Sequence, residues 1–265
     1  MSWMERVEVT LRPMSLTMRR VRPWASHGAA TVVPLAARST EATEAWRDPL
    51  QALAHALDNR RDAGAALHVV LSDHFARFAV VPWSPDIVGD AEREAFARLS
   101  FSQVYGAVSD GWAIALDERL ATQPAMAAAI DRSLLQALRE LCKSRRMRLA
   151  SVMPGLALDL NRYRSALREG HFWFARVEPG RLTVALRRDR TWVAVRTRRL
   201  DAAGAVALAG ALRQEALACG STPHGTVYLM DTTGTVQTIP GWQTVRLGRA
   251  VSAGSPPPAR AAAAK

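Results

Sequence analysis

The chain has 265 residues, almost half of them hydrophobic, and a formal net charge of +11 carried mostly by arginine. That apolar content is enough for one large domain or two modest lobes and excludes general disorder. No apolar run is long enough to cross a bilayer as a helix. MSWMERVEVTLRP at the N-terminus has no apolar signal segment. Cys142 and Cys219 lie far apart in helical contexts, so the expectation is a cytoplasmic protein with both thiols reduced and packed in its core. The positive charge admits nucleic acid, an anionic membrane surface or an acidic partner, and it also follows from an arginine-rich, lysine-poor composition alone.

In chain order, VEVTLRP, SLTMRRV and ATVVPLA read as three short strands. A helix follows, with Asp48 as its expected N-cap, Pro49 in its first turn and Leu50, Leu53 and Leu57 along one face. ALHVVLSD is a buried strand and HFARFAVVPW another, ending at Pro82. Gly89 and Asp90 open a helix with Glu92 and Glu94 in its first turn, and Phe96, Leu99 and Val104 are expected on its buried side. GWAIALD and AMAAAID read as strands, DRSLLQALRELCKSRRM as the clearest helix, RLASVMP as a buried strand and LALDLNRYRSAL as a helix. Three strands then return in HFWFARVEPG, RLTVALRRD and TWVAVRTRRL. A helix capped by Asp201 runs to about Ala218, and TVYLMD closes the series. The order strand, strand, strand, helix, strand therefore occurs twice, and the two copies end alike in VVLSD and VYLMD. VSAGSPPPARAAAAK reads as a disordered or flexible extension.

This order resembles the actin-like scaffolds of type IV pilus and type II secretion machines, the group of PilM and the cytoplasmic domain of GspL. The resemblance rests on VVLSD leading into FARFAVVPW and PWSPDIVGDAEREAFARLSF, on the return through AAAIDRSLLQALRELCKSRRMRLASVMPGLALDLNR, and on the hairpin VEPGRLTVAL. It implies an α/β chain with the actin-like ATPase fold, built from two ribonuclease H-like βββαβ lobes and a small inserted α/β subdomain. The first lobe would span residues 1–73 and 131–168, the insert 74–130, the second lobe 169–247 and the tail 248–265. It further implies a cytoplasmic scaffold, recruited to the inner membrane by an assembly protein whose N-terminal peptide binds between subdomains, and helping in turn to recruit a motor ATPase.

Actin-like ATPases grip phosphate with two glycine-rich hairpin turns, each carrying an acid for hydrated magnesium. The first turn here, TLRPMSL, has neither glycine nor acid, and Pro13 removes an N–H donor. The second, VEPGRLT, keeps Glu178, Gly180 and Thr183 as a degenerate remnant, with Pro179 and Arg181 at the turn; a tight hairpin alone would also explain Gly180. Asp231-Thr232-Thr233-Gly234 stands where a glycine pair would support adenosine. The expectation is a non-enzymatic chain with no nucleotide cofactor and no metal. A ribonuclease H-type nuclease would need converging carboxylates. Asp73, Glu178, Glu215 and Asp231 are the candidates, but Glu178 sits at a turn and Glu215 late in a helix, so they read as surface acids. The six histidines have no metal-ligand spacing, and His68 reads as a hydrogen-bonded core residue.

In RLTVALRRDRTWVAVRTRRL, alternation places Val184, Leu186, Val193 and Val195 inward. Arg187, Trp192, Arg196 and Arg198 would then share a basic, partly aromatic face, extended by Arg188, Arg190 and Arg199. That face is either simply solvated or a contact for an acidic partner or nucleic acid. The rival functions are thus a basic nucleic-acid-binding module of ribonuclease H type and a weak actin-like ATPase.

Overall fold

The computed structural model describes residues 5–21, 29–36, 45–58, 61–87, 89–117, 123–167, 170–201 and 204–248; the C-terminal extension lies outside them. The first unit comprises β1 (Arg6–Arg12), β2 (Ser15–Val21), β3 (Thr31–Pro34), α1 (Arg47–Ala56) and β4 (Ala66–Leu71). A small unit follows with β5 (Ala76–Val81), α2 (Asp90–Tyr105), β6 (Trp112–Leu116) and β7 (Ala125–Asp131). The chain returns through α3 (Arg132–Ser144), β8 (Arg148–Pro154) and α4 (Gly155–Tyr163). The last unit is β9 (Phe172–Glu178), β10 (Arg181–Arg188), β11 (Thr191–Arg199), α5 (Ala205–Ala218), β12 (Thr226–Asp231) and β13 (Gln243–Arg246).

Three sheets result, ordered β3-β2-β1-β4-β8, β5-β7-β6 and β11-β10-β9-β12-β13. The two large sheets have the same plan: an antiparallel three-strand meander whose first strand pairs in parallel with a fourth, then a fifth parallel edge strand. The edge strand β13 has no counterpart among the expected elements, because residues 232–242 reach it without a helix while Val236, Ile239 and Trp242 fill the core. β1 alternates, burying Val7, Val9 and Leu11. β9 is buried on both faces along its whole length, as a central strand covered on both sides must be. Its odd positions Trp173, Ala175 and Val177 pack with α5. The even positions Phe172 and Phe174 pack with Leu156 of α4 and with Ala76 and Phe78 of β5.

Several local expectations need correction. Trp46, not Asp48, is the N-cap of α1, without a side-chain bond, and Asp48 lies in the first turn. Gly204 caps α5, whereas Asp201 pairs with the exposed Arg199. Leu99 and Val104 of α2 are 50% and 68% exposed, while Ala97 and Phe101 are buried. The small Ala97 lets the helix approach its sheet, and the i+4 neighbours Phe101 and Tyr105 then pack around Trp112. β8 is only half-buried because it forms a sheet edge.

The largest correction concerns β11. Leu186 pairs with Ala194 but Arg187 pairs with Trp192, so Val193 is an extra, bulged residue, 40% exposed. The bulge reverses the alternation. Arg187 and Trp192 turn to the inner face of the sheet, where the Arg187 guanidinium lies 5.9 Å from the centre of the Phe172 ring and 5.5 Å from that of Trp192. Arg196 and Arg198 lie on the opposite, α5 side, where Arg198 reaches Glu215 at 3.4 Å. Val195 is buried with Phe172 and Tyr228, and Val184 and Leu186 are buried with α5. The four residues expected to share one face are therefore split between two.

Candidate functional site

The carboxyl ends of the parallel strands in both large sheets meet where an α/β fold ordinarily presents its ligand site. β1 ends in Arg12, β4 runs into Ser72 and Asp73 just after Leu71, and β8 ends in Pro154 with α4 starting at Gly155; facing them is Glu178 at the end of β9. Two-residue turns at Pro13-Met14 and Pro179-Gly180 join the flanking hairpins, Gly180 having a φ of 73°. Neither turn forms a glycine-rich cradle.

A buried arginine occupies the centre of this junction. Arg176 shares the inner face of β9 with Glu178 because the two are two residues apart. Its Nη1 lies 2.7 Å from Glu178 Oε1 and 3.3 Å from Asp73 Oδ2, and its Nε donates to Asp159 Oδ2 at 2.8 Å. Glu178 Oε2 accepts from the Ser72 hydroxyl and from the Asp73 N–H, both at 2.8 Å. Asp73 Oδ1 accepts the Leu156 N–H at 3.0 Å, which satisfies a donor in the first turn of α4. Arg181 donates to the Asp73 carbonyl at 3.2 Å, and Thr183 is buried beside the same residue. Arg12 closes the first-sheet side, bonded to Thr17 at 3.3 Å.

Gly155 makes room for this arrangement: a Cβ there would overlap the Arg176 guanidinium, with 2.8 Å left even to Nη1. Three carboxylates and three guanidinium groups thus gather at one place, with Asp73, Glu178 and Arg176 each no more than 5% exposed.

The environment separates the acids. Burial opposes charge on Glu178, but Arg176 together with the Ser72 and Asp73 donors holds its carboxyl below the usual range. Burial raises Asp159 despite its bond to Arg176. Asp73 is pushed up to about 6, by burial first and by the Glu178 charge further, against the pull of Arg176. Burial disfavours charge on Arg176 too, but the surrounding carboxylates raise it overall.

A carboxyl whose folded pKa exceeds its ordinary 3.8 is protonated in the native state before the unfolded one. Its contribution to stability is therefore greatest at low pH and is lost as pH rises from about 4 to 6. Asp73→Asn, which keeps an acceptor for Leu156, is expected to remove a slope of up to about 1.4 kcal/mol per pH unit in that window. Urea unfolding of both proteins across the range measures it.

Glu178 and Asp73 are therefore interior ion-pair residues rather than surface acids. The other nuclease candidates do not join them. Glu215 pairs with Arg198 on the α5 side. Asp231 is spent on its own loop, accepting from Thr233 N–H at 2.8 Å, from the Thr233 hydroxyl at 2.6 Å and from Val236 N–H at 2.7 Å. That loop is also tied to β9, the Thr232 N–H and hydroxyl both donating to the Val177 carbonyl, at 3.0 and 2.9 Å. Among the described residues no three His, Cys, Asp or Glu side chains are arranged to hold a metal ion, and no helix is long and apolar enough to cross a membrane. His68 is half-buried and bonded to Ser151 Oγ at 2.9 Å, as a core histidine should be. Arg176 and Asp159 were not singled out by sequence reading. The signal available was a lone arginine inside the apolar run FWFARV.

No protein-family model matches the chain, and no curated protein matches it in sequence. Solved structures do. A Bacteroides thetaiotaomicron protein of actin-like ATPase fold and unknown function aligns with a TM-score of 0.60 at 11% identity, covering 89% of this chain and 84% of that one. The PilM-PilN type IV pilus biogenesis complex gives 0.59 at 15% identity, covering 87% and 82%. The cytoplasmic domain of EpsL, an inner-membrane component of the type II secretion system of Vibrio cholerae, gives 0.58 at 12% identity, covering 94% and 92%. The chain thus has the actin-like ATPase fold, and its likeness among solved structures extends to PilM and to the cytoplasmic domain of EpsL.

Proposed function

We propose that this chain is a non-catalytic scaffold of a pilus- or secretion-type assembly. It binds the cytoplasmic segment of an inner-membrane partner and is recruited to the membrane through it. In this reading residues 74–130 form the inserted subdomain between the halves of the first lobe. The observation that carries it is the buried ion cluster where the two large sheets meet. Where an actin-like ATPase keeps glycine turns open for a triphosphate, this chain has Pro13, Pro179 and the Arg176 guanidinium, hydrogen-bonded to Asp159 and ion-paired with Asp73 and Glu178. The Glu178, Gly180 and Thr183 remnant then serves the hairpin and the ion cluster. The likeness to PilM in complex with PilN, and to a domain of an inner-membrane secretion component, supports the choice of partner class.

Two measurements test this reading. Millimolar magnesium-ATP is expected to leave the melting temperature unchanged; binding with a Kd a hundredfold below the ligand concentration would add about 2.7 kcal/mol, and a shift of that order overturns the assignment. Affinity capture from a native lysate should recover a membrane assembly protein. Salt-sensitive recovery of nucleic acid instead would favour the basic nucleic-acid module.

A further inference from the structure

The actin-like plan places a ligand between two lobes. Here side chains and backbone of the protein link the two lobes across that junction. From the first lobe come the Ser72 hydroxyl, the Asp73 N–H, carbonyl and carboxylate, and Asp159; from the second come Arg176, Glu178 and Arg181. We propose that Arg176 is a resident clasp: its guanidinium holds the two lobes closed in the role a bound nucleotide would otherwise have, so that closure is constitutive and independent of ligand. This rests on the reading that no nucleotide enters the junction.

The chemistry favours a guanidinium over an ammonium. One planar group presents Nε to Asp159 and Nη1 to Asp73 and Glu178, a fork that one ammonium on a flexible stem cannot reproduce. Removing it leaves carboxylates from both lobes buried together without their cation, and their mutual repulsion pushes the lobes apart. The glycine at position 155 fits the same role, since any side chain there would occupy the guanidinium's place.

The test uses the full chain. Arg176→Ala is expected to melt roughly 10 °C below the wild type. Tens of millimolar methylguanidinium should restore part of that loss, and methylammonium at the same concentration should not. If the alanine variant does not fold, Arg176→Lys serves. It keeps the charge, and amide exchange at Asp73 and Leu156, the two N–H groups held by the cluster, should accelerate at least tenfold, while exchange in wild type stays the same with and without magnesium-ATP. Equal rescue by both cations, or equal protection of the two amides in wild type and Arg176→Lys, overturns the clasp. Neither outcome bears on partner capture, so the clasp and the scaffold reading fail separately.

Discussion

Gly155→Ala is expected to destabilise the protein by about 3–5 kcal/mol, far beyond the usual effect of adding one methyl group. Position 155 opens α4, and glycine there needs no left-handed backbone; in a free helix alanine would be the better residue. The cost comes from what the methyl group meets. It would occupy the volume of the Arg176 guanidinium, which is 5% exposed and paired with carboxylates from two lobes. A surface arginine would swing aside at little cost, whereas this one can move only by leaving Asp73, Asp159 and Glu178 unpaired. Gly210→Ala is the internal control. It lies inside α5 with open space around its would-be Cβ, so it should stabilise by about 0.5–1 kcal/mol. Chemical denaturation of the two variants should give opposite signs. Equal and small effects would mean that Arg176 is not fixed where it lies.

Trp173→Ala should cost about 3–5 kcal/mol, whereas Trp173→Phe should cost under about 1.5 kcal/mol. Trp173 is 1% exposed on the α5 side of β9, with the Trp242 ring edge-on at 6.4 Å. Its Nε1 has no hydrogen-bond partner among the described residues, so phenylalanine gives up volume but also removes a buried unpaired donor. Alanine leaves a cavity in the core between the second sheet and α5. Denaturant midpoints with unchanged m-values would establish that stability, not compactness, has changed.

The repeated strand order was legible because period-two alternation in VEVTL and unbroken apolar runs such as HVVL report burial directly. What escaped was information that single strands do not carry. The bulge at Val193 reverses the phase of β11, and nothing in RTWVAV marks where an extra residue is inserted. The placement of Leu99 and Val104 failed because α2 has apolar residues on several sides, and only the small Ala97 decides which side approaches the sheet. The ion cluster is assembled from residues far apart in the chain: Ser72 and Glu178 are separated by 106 positions and Asp73 and Arg181 by 108. Glu178 and Asp73 look like ordinary acids at strand ends until the second lobe is placed against the first. The lack of glycine in the Pro13-Met14 turn is plain in the sequence, but the ion cluster is not, since an arginine two residues before Glu178 gains meaning only once both are known to share a face.

The extra residue at Val193 also makes β11 two half-strands of opposite allegiance. Trp192 and Arg187 belong to the seam against the rest of the molecule, whereas Arg196 and Arg198 belong to the outer helical layer. Were Val193 taken into the ladder it would lie opposite Arg187, and Trp192 would turn toward α5 and away from Phe172; deleting Val193 instead would leave Trp192 opposite Arg187 and restore simple pleating. The half of β11 before Val193 and the half after it are each in register with β10, and Val193 alone stands outside the ladder.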